Sequence, residues 1–274
     1  MTLLGIFILL SGLFVGWSLG ANDAANAMGT AVGARVRTVR EAVVIVGVFS
    51  FIGAVSLGHR VIKTIGSGIV PLEQLPTRQA TLIALAAMLA AGLWLLWATY
   101  LRLPVSTTHS AVGAVAGAGV AAGGVPIYWE KLLDIFLAWI LTPVGAAAVA
   151  YILYQLLRLL ILRWFSIPDR VWAWLLTASG MWMAFSWGAN DVANATGVMV
   201  GAGLVSPFMA TLLGGLAIVL GVATWGYRVM ETIGSRITHL IPPMAFVAEL
   251  AAALNVQLYT LVGLPVSTTH SIVG

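Results

Sequence analysis

Long apolar stretches separated by short polar ones recur from one end of this chain to the other. They fall near 3–19, 42–57, 79–101, 130–157, 172–187, 206–225 and 244–262. Most approach the roughly 20 residues that an α-helix needs to cross a bilayer. Shorter Gly-rich apolar pieces at 24–34, 111–125 and 192–203 follow several of them. Too short to span alone, these read as halves of broken or re-entrant helices. The first run, Leu3 to Leu19, lacks a basic leader and passes straight into a polar motif, so it reads as a span and not a cleaved signal peptide.

Internal repetition organises the rest. Gly-Ala-Asn-Asp-Ala-Ala-Asn-Ala-Met-Gly begins at Gly20, and Gly-Ala-Asn-Asp-Val-Ala-Asn-Ala-Thr-Gly begins at Gly188. At the same spacing, Val61-Ile-Lys-Thr-Ile-Gly-Ser matches Val229-Met-Glu-Thr-Ile-Gly-Ser. Leu103-Pro-Val-Ser-Thr-Thr-His-Ser returns unchanged at Leu264, at a slightly shorter spacing. Three blocks in one order mean a duplicated unit. The expected division is a first membrane repeat over 1–157, an inter-repeat loop over 158–171 and a second membrane repeat over 172–274. The first copy runs on past its His109 block into another span, whereas the chain ends at Gly274, soon after His270, so the second repeat is expected to be truncated at its C-terminus. Two such repeats meeting through interrupted helices are the usual build of a secondary transporter. The fold class is therefore an all-α polytopic membrane protein with two homologous repeats, expected to be inverted.

Composition narrows the picture. Hydrophobic residues make up 61% and charged residues 8% of the chain, against about 25% charged in a soluble domain. Mean hydropathy is +1.02. The net charge of +4 does not point to nucleic acid. Its arginines sit in short loops, Arg35, Arg37 and Arg40, then Arg158, Arg163 and Arg170, where they orient a polytopic protein. Trp94, Trp97, Trp129, Trp139, Trp172 and Trp174 are read as anchors at the membrane interface. Without cysteine there is no disulfide, thiolate chemistry or thiolate metal site.

The candidate chemistry lies in the repeated blocks. Asp23 and Asp191 stand far from any basic residue in sequence, and a carboxylate at membrane depth must face a cavity or a partner. Asn22, Asn26, Asn190 and Asn194 add amide oxygens, each pair four positions apart on one helical face. Gly20, Gly29, Gly188 and Gly197 are expected to let the backbone unwind and expose carbonyls. Such an oxygen set suits Na⁺ or a proton, with Asp23 and Asp191 as the Na⁺ ligands if sodium is the coupling ion. Pro-Val-Ser-Thr-Thr-His-Ser, at 104–110 and 265–271, places a helix N-terminus and several hydroxyls at membrane depth, a setting that binds anions. Carboxylates and an oxyanion in one low-dielectric cavity repel unless cations travel with the anion, which implies symport. Glu249 is a further cation or gating candidate. His109 and His270 could titrate or donate to the anion. Lys63 and Glu231, opposite in sign at matching positions, could pair.

These blocks resemble the inorganic phosphate transporter (PiT) family, whose signature is two Gly-Ala-Asn-Asp-x-Ala-Asn-Ala and two Pro-x-Ser-Thr-Thr-His motifs. The resemblance covers nearly the whole chain. It implies a multi-pass permease of the cell membrane with inverted repeats, a homodimer, carrying inorganic phosphate with Na⁺ or H⁺ and using no organic cofactor. By it, Ser106, Thr107, Thr108, Ser267, Thr268 and Thr269 contact phosphate, while Asp23, Asn26, Asp191 and Asn194 line the cation and anion sites. A sulfate permease of the same family and an anion channel are the alternatives. An enzyme is not expected, because no G-x-S-x-G elbow, H-E-x-x-H helix or Walker lysine occurs.

Overall fold

The computed structural model describes residues 3–230 and 241–273. Its helices are α1 (Leu3–Gly33), α2 (Val39–Leu57), α3 (His59–Ser67), α4 (Thr77–Tyr100), α5 (Thr107–Ala122), α6 (Trp129–Leu157), α7 (Asp169–Gly201), α8 (Pro207–Trp225), α9 (Pro242–Leu261) and α10 (Thr268–Val273). No strand occurs among the described residues. Among the described residues, six helices are long and apolar enough to cross a membrane: α1, α2, α4, α6, α8 and α9. The protein is thus a multi-pass membrane protein. α7 matches α1 in length but carries more polar residues, and most of its 33 residues are buried.

Local signals set the helix ends. Thr38 caps α2 in a capping box with Glu41. Ser206 caps α8, whose first position is Pro207. α6 continues past Leu157 through a π-turn over Arg158–Leu162, and α7 begins at Asp169. The non-helical link is therefore 163–168, shorter than the loop expected over 158–171.

Of the three expected half-helices, one is separate. α5 is a 16-residue helix, about 24 Å long at 1.5 Å per residue and short of a 30 Å hydrocarbon core. The pieces at 24–34 and 192–203 are instead the continuous ends of α1 and α7, which run unbroken for 31 and 33 residues. The reason lies in what the glycines do. A Cβ on Gly20 would stand 2.1 Å from the Ile218 carbonyl oxygen, and one on Gly188 2.0 Å from that of Ser50. Gly20 and Gly188 permit contact between helix backbones; they do not unwind them.

This packing repeats at the motif spacing. Gly53 approaches the Phe185 carbonyl, and Gly221 the Trp17 carbonyl, each with 2.0 Å left for a Cβ. Ser50 and Ile218 are separated along the chain just as Gly20 and Gly188 are, and so are Trp17 and Phe185. So α1 packs on α8 and α7 packs on α2, each motif helix against the second helix of the other copy. The two copies interlock instead of forming separate bodies.

The outer surface is apolar, above all on α6, where Leu133, Phe136, Ile140 and Val144 are exposed. Trp94, Trp97, Trp129 and Trp174 face outward as interface anchors would. Trp139 and Trp172 do not. Trp172 is buried, and Trp139 is half-buried against His109. Glu231 lies outside the described residues, and with it any pairing with Lys63.

Candidate functional site

Where α1 and α7 cross, the two Asn-Asp blocks face the N-terminal turns of α5 and α10. Asn22 donates to Thr99 Oγ1 and to the Leu103 carbonyl, both at 3.0 Å. Its oxygen accepts from the Val105 N–H at 3.2 Å. Asn190 repeats the pattern, donating to Thr260 Oγ1 at 2.9 Å and to the Leu264 carbonyl at 3.2 Å, and accepting from the Val266 N–H at 3.1 Å. Each amide is thus fully engaged by the helix end and the loop that lead into its own short helix. Asn22 and Asn190, expected to line the cavity, hold those loops in place. Thr99 and Thr260 were missed in the sequence, although they share the spacing of Leu103 and Leu264 and extend the Pro-Val-Ser-Thr-Thr-His block.

The next polar layer joins the two copies. Asn26 donates to Thr269 Oγ1 at 2.9 Å and Thr268 Oγ1 at 3.3 Å, and Asn194 donates to Thr108 Oγ1 at 3.0 Å. The Thr108 hydroxyl reaches the Val266 carbonyl at 3.0 Å, and that of Thr269 reaches the Val105 carbonyl at 3.3 Å. Thr107 donates to Asp23 Oδ2 at 2.6 Å, with Asp191 Oδ2 at 3.3 Å. One hydroxyl therefore stands between the two carboxylates. Thr108 and Thr268 are each 3.5 Å from an Asp191 oxygen.

Ser106 and Ser267, also expected to meet the anion, act as caps. Their oxygens accept from the N–H of His109 and His270, each at 3.2 Å. Both histidines point away from the aspartates. The rings meet each other, with centroids 4.7 Å apart.

None of the two aspartates, four asparagines and four threonines is more than 7% exposed, so the site is closed to solvent. Neither aspartate forms an ion pair among the described residues, where the salt bridges are Arg37–Glu41 and Lys131–Asp134. Three buried oxygens of this cage have no hydrogen-bond partner: Asp23 Oδ1, Asn26 Oδ1 and Asn194 Oδ1. The two amide oxygens can only accept, and the carboxylate oxygen does so when ionised. The Trp187 indole lies near Asp23 but completes no hydrogen bond with it. Acceptors without donors, beside two carboxylates without a cationic side chain, match the donor set of a hard cation.

Glu249 of α9 sits apart from this cage. It is fully buried and accepts hydrogen bonds from Thr30 of α1 and, at 3.2 Å, from Ser179 of α7. No described basic residue pairs with it. The sequence singles out Glu249 but not its two partners, whose hydroxyls carry no motif.

A polytopic membrane protein with a closed, duplicated polar cage at its centre has the build of a secondary transporter. Comparison with known proteins gives the family. The model of the phosphate transporter family matches residues 19–168 and 165–274, and the chain belongs to that family. A protein of Pyrococcus horikoshii, provisionally named a phosphate permease, is 33% identical over an alignment of 350 positions, gaps included, covering 98% of this chain and 86% of its own length. The chloroplastic inorganic phosphate transporter 2-1 of Arabidopsis thaliana is 30% identical, covering 99% of this chain and 65% of its own length. A solved structure titled as the sodium-dependent phosphate transporter superposes with a TM-score of 0.93 at 32% identity, covering 99% of this chain and 88% of that one. The family and these relatives are transporters and not enzymes.

Proposed function

We propose that this chain is a symporter of the cell membrane that moves inorganic phosphate together with Na⁺. The observation that carries this reading is the set of unpartnered acceptor oxygens beside Asp23 and Asp191, with no cationic side chain to neutralise them. Na⁺ bound there, with Asp23 and Asp191 as ligands, would remove the repulsion that otherwise bars a phosphate dianion. The hydroxyls of Thr107, Thr108, Thr268 and Thr269, which now donate to carboxylates and backbone carbonyls, would then turn to the phosphate oxygens. The N-terminus of α5 adds backbone N–H groups and a favourable dipole. The relatives named for phosphate, and the structural neighbour named for sodium, support the same choice.

The site draws on both copies, so we read the chain as two repeats, 1–157 and 172–274, in inverted orientation. The exchanged packing of α1 on α8 and α7 on α2 supports a pseudo-two-fold relation. Glu249 is assigned as an accessory cation ligand.

The test is uptake of labelled phosphate into liposomes holding the purified protein, with an inward Na⁺ gradient, a pH gradient, or neither. Na⁺-driven uptake that falls to background in Asp23→Asn is expected. Uptake driven by the pH gradient alone would make the aspartates proton carriers. Sulfate uptake in place of phosphate would overturn the substrate, and flux indifferent to either gradient would favour a channel.

A further inference from the structure

We propose that His109 and His270 form a binding site for a divalent transition-metal ion of the Ni²⁺ or Zn²⁺ class, and that such an ion staples α5 to α10 and arrests transport. The second half of this rests on the functional reading above; the first does not.

Successive helical residues are about 100° apart, so a residue two positions on lies nearly opposite. Thr107 faces Asp23, and His109 therefore lies on the far side of α5. His270 is related to Thr268 in the same way. The two imidazoles meet behind the cage, 4.7 Å between centroids and 77° between planes. Trp139 of α6 covers His109 at 3.8 Å, and its indole N–H donates to the Pro265 carbonyl at 3.3 Å. One seam therefore joins α5, α6 and the loop before α10.

His109 Nε2 is buried at this seam with no hydrogen-bond partner. A neutral imidazole nitrogen is the commonest protein metal ligand. With metal–nitrogen bonds of about 2.0–2.1 Å in tetrahedral geometry, two ligating rings have centroids about 5 Å apart. The observed 4.7 Å is close enough that ring rotation alone could aim a nitrogen of each at one ion. A cavity of ≈ 370 Å³ lies beside His109, lined also by Ala91, Trp94, Ser110 and Ala114. No third His, Asp or Glu joins the pair among the described residues. Water or the Ser110 hydroxyl would complete the shell, and the affinity should be modest. The consequence for transport follows from closure: the threonine cage has no exposed face, so release of an anion requires the helices around it to move, and α5 and α10 supply its threonines. A metal bonded to one imidazole from each would oppose that.

The test uses purified protein freed of any histidine tag, in a His59→Ala/His239→Ala background that leaves His109 and His270 as the chain's two histidines. NiCl₂ binding is measured by calorimetry in detergent, and labelled phosphate uptake in liposomes with and without NiCl₂. One saturable site is expected, weakened at least ten-fold by His270→Ala and by His109→Phe, which keeps an aromatic ring on Trp139. Uptake should be inhibited in the parent and spared in both variants, each first shown to be monodisperse. Binding as tight in both variants as in the parent would remove the site. Binding without inhibition would remove the staple. If the parent carries no phosphate, the functional reading falls and the titration alone decides whether the site exists.

Discussion

The two copies of the Asn-Asp block agree in one layer and differ in the next. Asn22 and Asn190 hold their loops through the same three bonds, to matching partners and at closely similar lengths. The carboxylates one position on do not match. Asp23 takes a short bond from Thr107 and leaves Oδ1 unpartnered, whereas both oxygens of Asp191 have hydroxyls nearby. Glu249 widens the difference. At the spacing that relates Leu103 to Leu264, its counterpart is Met88. At the spacing of the Asn-Asp blocks, the counterparts of Thr30 and Ser179 are Val198 and Ser11. The loop anchors therefore match between the copies, while the same aspartates and threonines are hydrogen-bonded unequally and Glu249 has no acidic counterpart.

The largest effects should come from the shared scaffold. Gly20→Ala and Gly188→Ala each drive a methyl into a carbonyl oxygen of the facing helix, at 2.1 and 2.0 Å. Backbone cannot yield as a side chain does, so the cost should reach or exceed the ~1–3 kcal/mol typical of overpacking. Both variants should lose the monodisperse peak on size-exclusion chromatography, or melt far below the parent. A change tolerated at one position and not at the other would break the equivalence of the two crossings.

Next come the loop anchors. Asn22→Ala leaves the Leu103 carbonyl and Val105 N–H without their amide partner, and Asn190→Ala does the same to Leu264 and Val266. Each buried group left unsatisfied costs about 1–3 kcal/mol, and less where, as at Leu103, Val105 and Leu264, the bond is part-buried. Both substitutions should therefore destabilise by roughly 2–4 kcal/mol, and by similar amounts, in thermal unfolding followed in detergent. A several-fold inequality would mean that the matched geometry hides unequal roles.

How much of this was legible in the sequence follows from the same distinction. Duplicated strings singled out the aspartates and the hydroxyl turns that the fold brings together, because both the string and its spacing survive in linear form. What escaped was direction. That Asn26 reaches the other copy while Asn22 serves its own depends on how α1 crosses α7, which no motif records. The glycines misled for a related reason. Gly20 and Gly188 can unwind a helix or admit a neighbour's backbone, and only the facing Ile218 and Ser50 decide between them. Trp139 was placed at the membrane interface by residue type, yet it covers His109 within the seam. Residue type carries average preferences, and these positions depart from them.

The smallest effect on stability should come where the copies diverge most. Glu249 is buried with two hydroxyl donors and no described basic partner. In Glu249→Gln the amide oxygen can still accept from Thr30. The new N–H₂ can donate to Ser179, whose hydroxyl rotates to accept. Gln has the shape of Glu and brings no charge into a buried site, so the exchange should be close to neutral for the fold. Thermal stability should stay within about 1 kcal/mol of the parent, while the Na⁺ dependence of phosphate uptake flattens. A parent-like Na⁺ dependence would leave Glu249 as a helix-bridging acceptor and confine the coupling cation to the cage between Asp23 and Asp191. A large loss of stability with uptake intact in the surviving fraction would show that the charge itself holds α1, α7 and α9 together, and that the second copy diverged for packing and not for ions.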